Sequence, residues 1–399
     1  MDFTLTPEQE DLRQRVATFV ADEIMPVEAD PASFDAHENI ADAPLQILRE
    51  KAKSVGLWAP QMPVARGGLG LNTVGMAMFY EEAGRSRFGP VCFNCAAPDD
   101  GNMILLERCG TEEQKDRWLQ PIIDGKLRSS IIMTEPAPGS GSDPTAMLTT
   151  ATPKGNGSWI IDGHKWFITG AEGSEHFILL ARTSDEPRGN LTTFLFHRDD
   201  PGWEIVRRIE IMGPEEHGGH CELKFDGLEI PDENRLMAVG EGMKAVQIRL
   251  GTARLTHCMR WLGMAKRAIE ECLGYVRTRE NFGMTLAEHE GVQWMLADAA
   301  MDIEIGRLMT MRAAAKLDTG DQARTEVSMA KIFVSELLHK SIATAIQLNG
   351  ARGYSKDLPL EWMYRYAPQA KLVDGASEVH KMVIARNLLA DGMNFWSWD

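Results

Sequence analysis

The chain has 399 residues, of which 44% are apolar and 25% are charged, and its formal net charge is −16. This length and composition predict two or three globular domains with a large core. An acidic chain without a concentrated basic tract is poorly suited to bind nucleic acid or an anionic membrane. The N-terminus resembles neither a signal nor a transit peptide, and no apolar run is long enough to cross a bilayer, so we expect a soluble cytoplasmic protein.

The first 128 residues carry the signals of a helical domain. Thr6-Pro7-Glu8 combines an N-cap residue, a first-turn proline and an acid, and apolar residues then recur at spacings of three and four. Glycine and proline pairs separate the later helical segments. The predicted helical segments begin at Thr6 and continue with 44–55, 73–84, 101–109 and 111–119.

Between residues 129 and 239 the pattern changes to that of strands. Short β-branched and aromatic runs alternate with turns. Asn156-Gly157 and Asp162-Gly163 are dipeptides typical of hairpin turns, and they fit between these runs. We therefore predict a middle β domain, either a barrel or a sandwich. The predicted strands are 159–161, 166–169, 177–181, 192–196, 203–207 and 221–230.

From residue 240 to residue 399 the helical period returns. Three long apolar stripes follow the Gly240-Glu241-Gly242 break, and a fourth helix is predicted to begin at Ser377. Four long amphipathic helices with modest connections predict an up-and-down four-helix bundle. The predicted fold class is therefore α+β and multidomain, with a helical domain (1–128), a β domain (129–239) and a helical bundle (240–399).

Cysteine and histidine pairs give weak signals for a metal site. Cys92 and Cys95 have C-x-x-C spacing, but no second pair follows at zinc-finger distance, and buried free cysteines are the simpler interpretation. His217 and His220 flank two glycines, and no further ligand can be identified. We predict no metal site.

Two segments have compositions that suit a flat cofactor. The loop from Met133 to Asp143 is rich in small residues and hydroxyls, so it can bring N–H groups close to a planar ring or a phosphate. The segment from Gly163 to Gly170 places two aromatic rings and a hydroxyl on a strand. A surface loop and a core strand remain the alternative interpretations. No Rossmann or P-loop glycine motif occurs in the sequence.

Asp374 lies at a predicted break between two helical runs. Gly375 can adopt the positive φ that ends a helix, and Ser377 can cap the next one. The dipole at a helix C-terminus disfavours negative charge, so a desolvated Asp374 there would have a raised pKa and would be a tunable base. A plain Asp-Gly helix break explains the same residues.

Five motifs, in the same order, resemble those of acyl-CoA dehydrogenases, and together they span nearly the whole chain. Three further segments, 93–103, the HGGH loop and 249–260, resemble the subgroup of acyl-CoA dehydrogenase family members ten and eleven. The five motifs are the TEP…GSD loop, the GHKWFITGA strand, RENFG at 279–283, QLNGARG at 347–353 and DGASEVHKMVIAR at 374–386.

The resemblance implies FAD bound between the β domain and the bundle. Met133, Thr134 and Ser142 would line the isoalloxazine ring, and Phe167 and Thr169 would lie near its reactive edge. Other implied contacts hold the pyrophosphate and adenine across a subunit boundary, where a guanidinium suits a diphosphate. These further FAD-binding residues are Arg279, Asn281, Phe282, His289, Gln347, Gly350, Ala351, Ser377 and Glu378.

The resemblance also implies the reaction. Asp374 would remove the α proton of an acyl-CoA while the β hydrogen leaves as hydride to flavin N5, which gives a trans-2-enoyl-CoA. Ala253 occupies the second position at which the family places its base, and it cannot accept a proton. Electrons would pass to an electron-transferring flavoprotein, and the assembly would be a homotetramer, as a dimer of dimers, or a homodimer. The implied substrate contacts are Ser142, Arg254, His257 and Gly375.

Three departures from the family pattern leave the substrate open. Aspartate is shorter than the frequent glutamate, the GSD loop is two residues longer than usual, and Phe167 replaces a frequent tryptophan. The alternatives are a 4-hydroxyacyl-CoA or 4-phosphoacyl-CoA enzyme, a flavin oxidase of the nitroalkane or acyl-CoA type, and a non-catalytic flavin-containing binding protein. The sequence does not predict the length or branching of the acyl chain.

Overall fold

The helical signals at the start of the chain correspond to helices in the structure, a computed structural model that describes residues 5–186 and 189–397. Helix α1 begins after Thr6, whose hydroxyl accepts a hydrogen bond from the Gln9 N–H, while the Gln9 side chain accepts one from the Thr6 N–H. This reciprocal cap satisfies N–H groups that a helix start leaves free. The N-terminal helices are α1 (Pro7–Phe19), α2 (Met25–Ala29), α3 (Asp42–Ser54), α4 (Thr73–Ala83), α5 (Gly89–Cys92), α6 (Asp99–Cys109), α7 (Glu112–Gln114) and α8 (Gln120–Ile123).

The middle part of the chain forms a β domain, as predicted. Its strands are β1 (Ser129–Ile132), β2 (Thr150–Pro153), β3 (Ser158–Thr169), β4 (His176–Arg182), β5 (Leu191–His197), β6 (Trp203–Arg208), β7 (His220–Pro231) and β8 (Arg235–Leu236). They form one sheet in the order β6-β7-β3-β2-β4-β5-β8, with β1 paired to β4. The predicted turn at Asn156-Gly157 joins the antiparallel strands β2 and β3, and Gly157 has a φ of 83°.

The predicted turn at Asp162-Gly163 is wrong. This pair lies inside β3, so the predicted strands 159–161 and 166–169 are one continuous strand that pairs with β7. The pairing of β3 with β7 shifts register between Ile161 and Asp162, so the dipeptide interrupts the regular pairing without ending the strand. A Cβ on Gly163 would lie only 2.3 Å from Thr149 Oγ1. The glycine therefore allows a close approach within the sheet.

The C-terminal part of the chain forms the predicted helical bundle. Its elements are α9 (Gly242–Thr278), β9 (Glu280–Asn281), β10 (Met284–Thr285), α10 (Glu290–Asp318), α11 (Arg324–Asn349), α12 (Leu360–Tyr366) and α13 (Ser377–Asp391). Helix α11 packs against α9, α10 and α13, which places it at the centre of the bundle. Within residues 5–186 and 189–397, no helix is long and apolar enough to cross a membrane.

Helix α9 joins the two helical parts of the chain into one core, whereas the β domain has a core of its own. The contact between α4 and α9 is made at two glycines. A Cβ on Gly263 would lie 1.9 Å from the carbonyl oxygen of Glu81, and a Cβ on Gly84 would lie 2.3 Å from that of Arg260. Because the backbones touch here, the position of α9 along the N-terminal domain is well defined.

Candidate active site

Asp374 lies in the connection between a 3₁₀ turn, Ala367–Lys371, and helix α13. Its own φ is 52° and that of Gly375 is 105°, so the chain reverses direction at the predicted break. The predicted cap is wrong in detail, because Ala376 is the N-cap residue and Ser377 is the first residue of α13. The Ser377 hydroxyl is buried and has no hydrogen-bond partner among the residues that the structure describes.

Side chains of α9 surround the Asp374 carboxylate, which is 15% exposed. Arg249 Nη1 lies 3.0 Å from Oδ1, and His257 Nε2 lies 3.3 Å from Oδ2. Arg254 Nε donates a hydrogen bond of 2.8 Å to the Asp374 carbonyl oxygen. The structure thus brings Asp374, Arg254 and His257 together, as the sequence predicted, and adds Arg249.

The loop is also held from α11 and α13. Lys331 Nζ donates a hydrogen bond of 2.8 Å to the carbonyl oxygen of Gly375. A Cβ on Gly375 would lie 3.1 Å from His380 Nε2, so only glycine allows this approach without displacing the ring. Side chains of three helices, α9, α11 and α13, therefore fix the position of Asp374.

The predicted direction of the Asp374 pKa is wrong. Burial acts to raise this pKa, but Arg249, followed by His257 and Arg254, outweighs burial and holds the pKa well below its usual range. The helix C-terminus and desolvation both favour a raised pKa, but the cations of α9 have the larger effect. Asp374 is therefore a carboxylate at neutral pH and can accept a proton without first losing one.

The orientation of the His257 ring follows from its second neighbour. Arg260 Nη2 lies 3.3 Å from His257 Nδ1, and a guanidinium can only donate hydrogen bonds. We therefore assign Nδ1 as the acceptor and place the proton on Nε2, which faces Asp374. Arg260 is in turn paired with Asp100 at 2.6 Å, and the His257 ring stacks on Trp261. This buried network holds the imidazole in place.

Arg249 was not singled out by the sequence analysis, although a signal for it exists. Arg249 and His257 lie four residues before and four residues after Ala253, so all three share one face of α9. Ala253 is buried and carries no acid. This face of α9 has no carboxylate of its own, but its Arg249 and His257 side chains hold the carboxylate of Asp374.

The loop after β1 and the middle of β3 are joined by two hydrogen bonds. Trp166 N–H donates to the Thr134 carbonyl oxygen at 3.1 Å, and Thr134 Oγ1 donates to the Trp166 carbonyl oxygen at 2.6 Å. Phe167 follows with a φ of 51° and is 46% exposed. Thr169 Oγ1 lies 3.1 Å from His220 Nδ1. The structure thus brings together the segments of Met133, Thr134, Phe167 and Thr169.

A buried ion pair supports this surface, and the sequence analysis did not identify it. Lys165 Nζ lies 3.0 Å from Glu135 Oε1 and donates to the Met133 carbonyl oxygen at 2.8 Å. Burial acts to raise the pKa of Glu135, but Lys165 and hydrogen bonds to Glu135 outweigh it, so this pKa is about 2. Three backbone N–H groups of the loop, those of Ser140, Leu148 and Thr149, also donate to Glu135. Ser142 lies at the exposed side of the same loop.

The remaining predicted FAD contacts lie apart from this surface. Phe282, at the turn of the β9–β10 hairpin, is 96% exposed, and His289 Nε2 lies 3.2 Å from the Asn281 carbonyl oxygen. No hydrogen bond or ion pair between described residues joins this hairpin to Met133 or Thr134. The other residues predicted to bind FAD outside this surface are also exposed. They are Arg279, Gln347, Gly350, Ala351 and Glu378.

The cysteine and histidine pairs lie elsewhere in the packing. Cys92 and Cys95 are free and buried, and His217 Nδ1 lies 2.7 Å from Arg128 Nη1. Within the described part of the chain, no group of three or more His, Cys, Asp or Glu side chains could hold a metal ion.

Comparisons with known proteins identify the family. Three models of the acyl-CoA dehydrogenase family match in order: the N-terminal domain at 6–126, the middle domain at 130–228 and the C-terminal domain at 240–389. The chain belongs to the acyl-CoA dehydrogenase family. This membership confirms the family and the fold expected from the motifs.

Individual relatives in this family cover most of the chain. Acyl-CoA dehydrogenase family member 11 of Gallus gallus is 36% identical over 392 residues, which are 94% of this chain and 50% of that protein. The chain thus spans about half the length of this curated relative. (R)-Benzylsuccinyl-CoA dehydrogenase of Thauera aromatica is 31% identical over 99% of this chain and 98% of its own. The structure of butyryl-CoA dehydrogenase from Megasphaera elsdenii matches with a TM-score of 0.86 and 26% identity, over 98% of this chain and 100% of its own.

Two features of the chain fit FAD, the cofactor of this family. The Ser377 hydroxyl is a buried donor without a partner among the described residues, next to the Asp374 loop. Gly350, at the end of α11, has a φ of 60° and open space where a Cβ would be, so a ligand can approach its backbone. Both belong to the residues that the sequence predicted for FAD.

Proposed function

We propose that this chain oxidises an acyl-CoA to a trans-2-enoyl-CoA, with Asp374 as the base that removes the α proton. The observation that carries the proposal is the buried, ionised carboxylate, held by Arg249 and His257 on the helix face where Ala253 provides no acid. A base must be deprotonated and fixed in place before it can accept a proton. Both conditions are met at Asp374.

The other predicted residues would bind and orient FAD and the thioester. Met133 and Thr134, held against β3, and Phe167 and Thr169 would form the surface for the isoalloxazine ring. When bound, FAD supplies the acceptor for the β hydrogen. Arg254 and His257, together with Gly375 and Ser142, would contact the substrate. The residues that would hold the pyrophosphate and adenine are Arg279, Asn281, Phe282, Gln347, Gly350 and Ala351. Three further residues would also bind FAD, and these are His289, Ser377 and Glu378.

The base is tested by replacing Asp374 with Asn, which keeps the shape and removes the proton acceptor. Anaerobic mixing with short, long and 4-hydroxylated acyl-CoAs should bleach the flavin of the wild type and leave that of Asp374→Asn unchanged, with FAD still bound. Asp391→Asn, the same change at an exposed carboxylate at the end of α13, is the control and should behave as the wild type. Normal bleaching by Asp374→Asn would contradict the assignment.

We further propose an electron-transferring flavoprotein as the electron acceptor and a homotetramer or homodimer as the assembly. Phe282, 96% exposed, and Trp294 on α10, 62% exposed, support an interface between copies, because burial of this apolar surface against a second copy would be favourable. Production of peroxide in air without an added acceptor would instead favour an oxidase. We propose 1–128, 129–239 and 240–399 as the domain limits.

A polar cavity supports a second candidate, a 4-hydroxyacyl-CoA substrate. This cavity has a volume of about 70 Å³, and His257 lines it, so it adjoins the base. The Arg87 guanidinium lines it as well, lies over the rings of Phe34, Phe88 and Trp362, and makes no ion pair within the described part of the chain.

Glu216 provides an acceptor in the same cavity. It accepts a hydrogen bond of 3.4 Å from Tyr366 Oη, and no described cation is paired with it. A hydroxyl can accept a hydrogen bond from Arg87 and donate one to Glu216, so the cavity contains both kinds of partner for a 4-hydroxyacyl group.

The second candidate is tested with 4-hydroxypentanoyl-CoA and pentanoyl-CoA, which differ only in the hydroxyl. We expect the hydroxylated thioester to bind more tightly, measured as a lower thioester concentration at which flavin bleaching is half complete. Arg87→Met should lower that preference by about tenfold or more, because a hydrogen bond to a charged group contributes about 1.5–3 kcal/mol. Equal affinities for the two thioesters in the wild type would contradict a polar acyl pocket.

A further inference from the structure

We propose that Arg249 is the positioning residue of the base: its hydrogen bond to Oδ1 anchors the Asp374 carboxylate, and its charge keeps that carboxylate deprotonated. This inference rests on the proposed function, because it names the residue that holds the base described there. The proton moves from the α carbon to the Asp374 carboxylate, and Arg249 keeps its own protons throughout.

The two carboxylate oxygens of Asp374 have different surroundings. Oδ1 accepts a hydrogen bond of 3.0 Å from Arg249 Nη1. Oδ2 lies 3.3 Å from His257 Nε2, within ion-pair distance, yet it has no hydrogen-bond partner of good geometry among the described residues. The charge-assisted hydrogen bond from Arg249 therefore fixes the orientation of the carboxylate through Oδ1.

Helix α6 provides the space in which Arg249 reaches Asp374. Arg249 is only 4% exposed, and it passes Gly101 of α6. A Cβ on Gly101 would lie 3.0 Å from Arg249 Nε and 3.3 Å from Ala253 Cβ. A larger residue at position 101 would therefore push the guanidinium away from its place. The glycine and the arginine form one arrangement, and either can be changed to test it.

Arg249 is also the most influential cation near Asp374. Arg254 and His257 face the carboxylate or its carbonyl from α9, Lys331 approaches from α11, and His380 and Glu378 belong to α13. Burial acts to raise the pKa of Asp374, and among the groups that lower it Arg249 comes first. Without Arg249, less positive charge opposes the effect of burial, so the pKa of Asp374 should rise.

The experiment measures the rate of anaerobic flavin reduction against pH, using the acyl-CoA that reduces the wild-type flavin fastest. A carboxylate base loses activity as the pH falls through its pKa. Since an opposite charge at this distance shifts an Asp pKa by about 1–3 units, Arg249→Gln should move the acid limb up by about 1–3 pH units. Arg249→Lys keeps the charge and should show a smaller shift. Arg108→Gln, an exposed arginine of α6, is the matched control and should keep the wild-type profile.

Gly101→Ala provides a second variant that keeps the arginine. Gly101→Ala should shift the acid limb of the pH profile in the same direction as Arg249→Gln, but by a smaller amount. If Arg249→Gln does not retain FAD, the pH profile of Gly101→Ala tests the role of Arg249 instead. An acid limb that stays at the wild-type pH in the FAD-bound variants would overturn the role of Arg249. If Asp374→Asn is inactive, that result leaves the proposed function intact. If the flavin of Asp374→Asn is bleached by substrate, the assignment of Asp374 as the base is contradicted.

Discussion

At the scale of single residues, the fully buried Lys165 is a charge that the fold tolerates because all its donors are used. Its ammonium contacts Glu135 Oε1 and the carbonyl oxygens of Met133 and Leu180 at 2.8–3.0 Å. Burial lowers the pKa of Lys165 to about 8, so it is still charged at neutral pH. The pair is therefore a rigid support under the loop that contains Met133 and Thr134.

Lys165→Met should destabilise the protein strongly, because it leaves the Glu135 carboxylate buried without its cation. We expect a loss of about 3–5 kcal/mol, measured as a lower melting temperature, together with a lower FAD content after purification. Lys154→Met removes a half-exposed lysine, paired with Glu229, from the same domain, and it should change stability by at most about 1 kcal/mol. Equal effects of the two substitutions would show that the buried pair contributes no special stability.

The proximity of Asp374, Arg254 and His257 was predictable from the motifs, but the electrostatics of the carboxylate were not. Asp374, Arg254 and His257 are close in space as predicted. The pKa of Asp374 depends on Arg249, which lies 125 positions away in the chain, and on the depth at which both are buried. A sequence states neither distance nor burial, so desolvation was overestimated relative to the attraction of the cations.

At the scale of elements, helix α9 contains glycines with opposite roles. Gly263 faces α4, where a Cβ would lie 1.9 Å from the Glu81 carbonyl oxygen, and Gly274 has open space at the same point. The first glycine permits a backbone contact between helices. The second only adds flexibility to the unfolded chain.

The same substitution should therefore have opposite effects at the two positions. Gly263→Ala should destabilise by about 1–3 kcal/mol or more, because α4 and α9 must separate. Gly274→Ala should stabilise by about 0.5–1 kcal/mol, because alanine is the better helix former. Thermal unfolding of the two variants measures both signs, and destabilisation of equal size would contradict this account of the helix contact.

Strand β3 shows where the element pattern was ambiguous. The dipeptide Asp162-Gly163 has the composition of a hairpin turn. The sequence alone could not distinguish such a turn from a glycine inside a strand that allows a close contact. The deciding contact is with Thr149, which belongs to a connection whose course depends on the tertiary structure. Strands β1 and β2, which are four residues long, were too short to give a period.

At the scale of the whole molecule, the order of the three domains was predictable because each has its own period. Helical spacing, strand alternation and long amphipathic stripes change where the domain types change. The shared core of the two helical parts was not predictable, since it depends on how α9 packs against α4. Contacts between elements far apart in the chain leave no periodic trace in the sequence.

This contact between α4 and α9 also has a consequence for the order in which the protein can form during synthesis. The N-terminal helices leave the ribosome first, but the apolar residues of α4, such as Phe79 and Tyr80, belong to the core that α9 completes. The whole β domain must be translated before α9 can arrive. Until then the nascent chain presents an incomplete core, and the Asp374 loop, which needs α9, α11 and α13, is among the last parts to assemble.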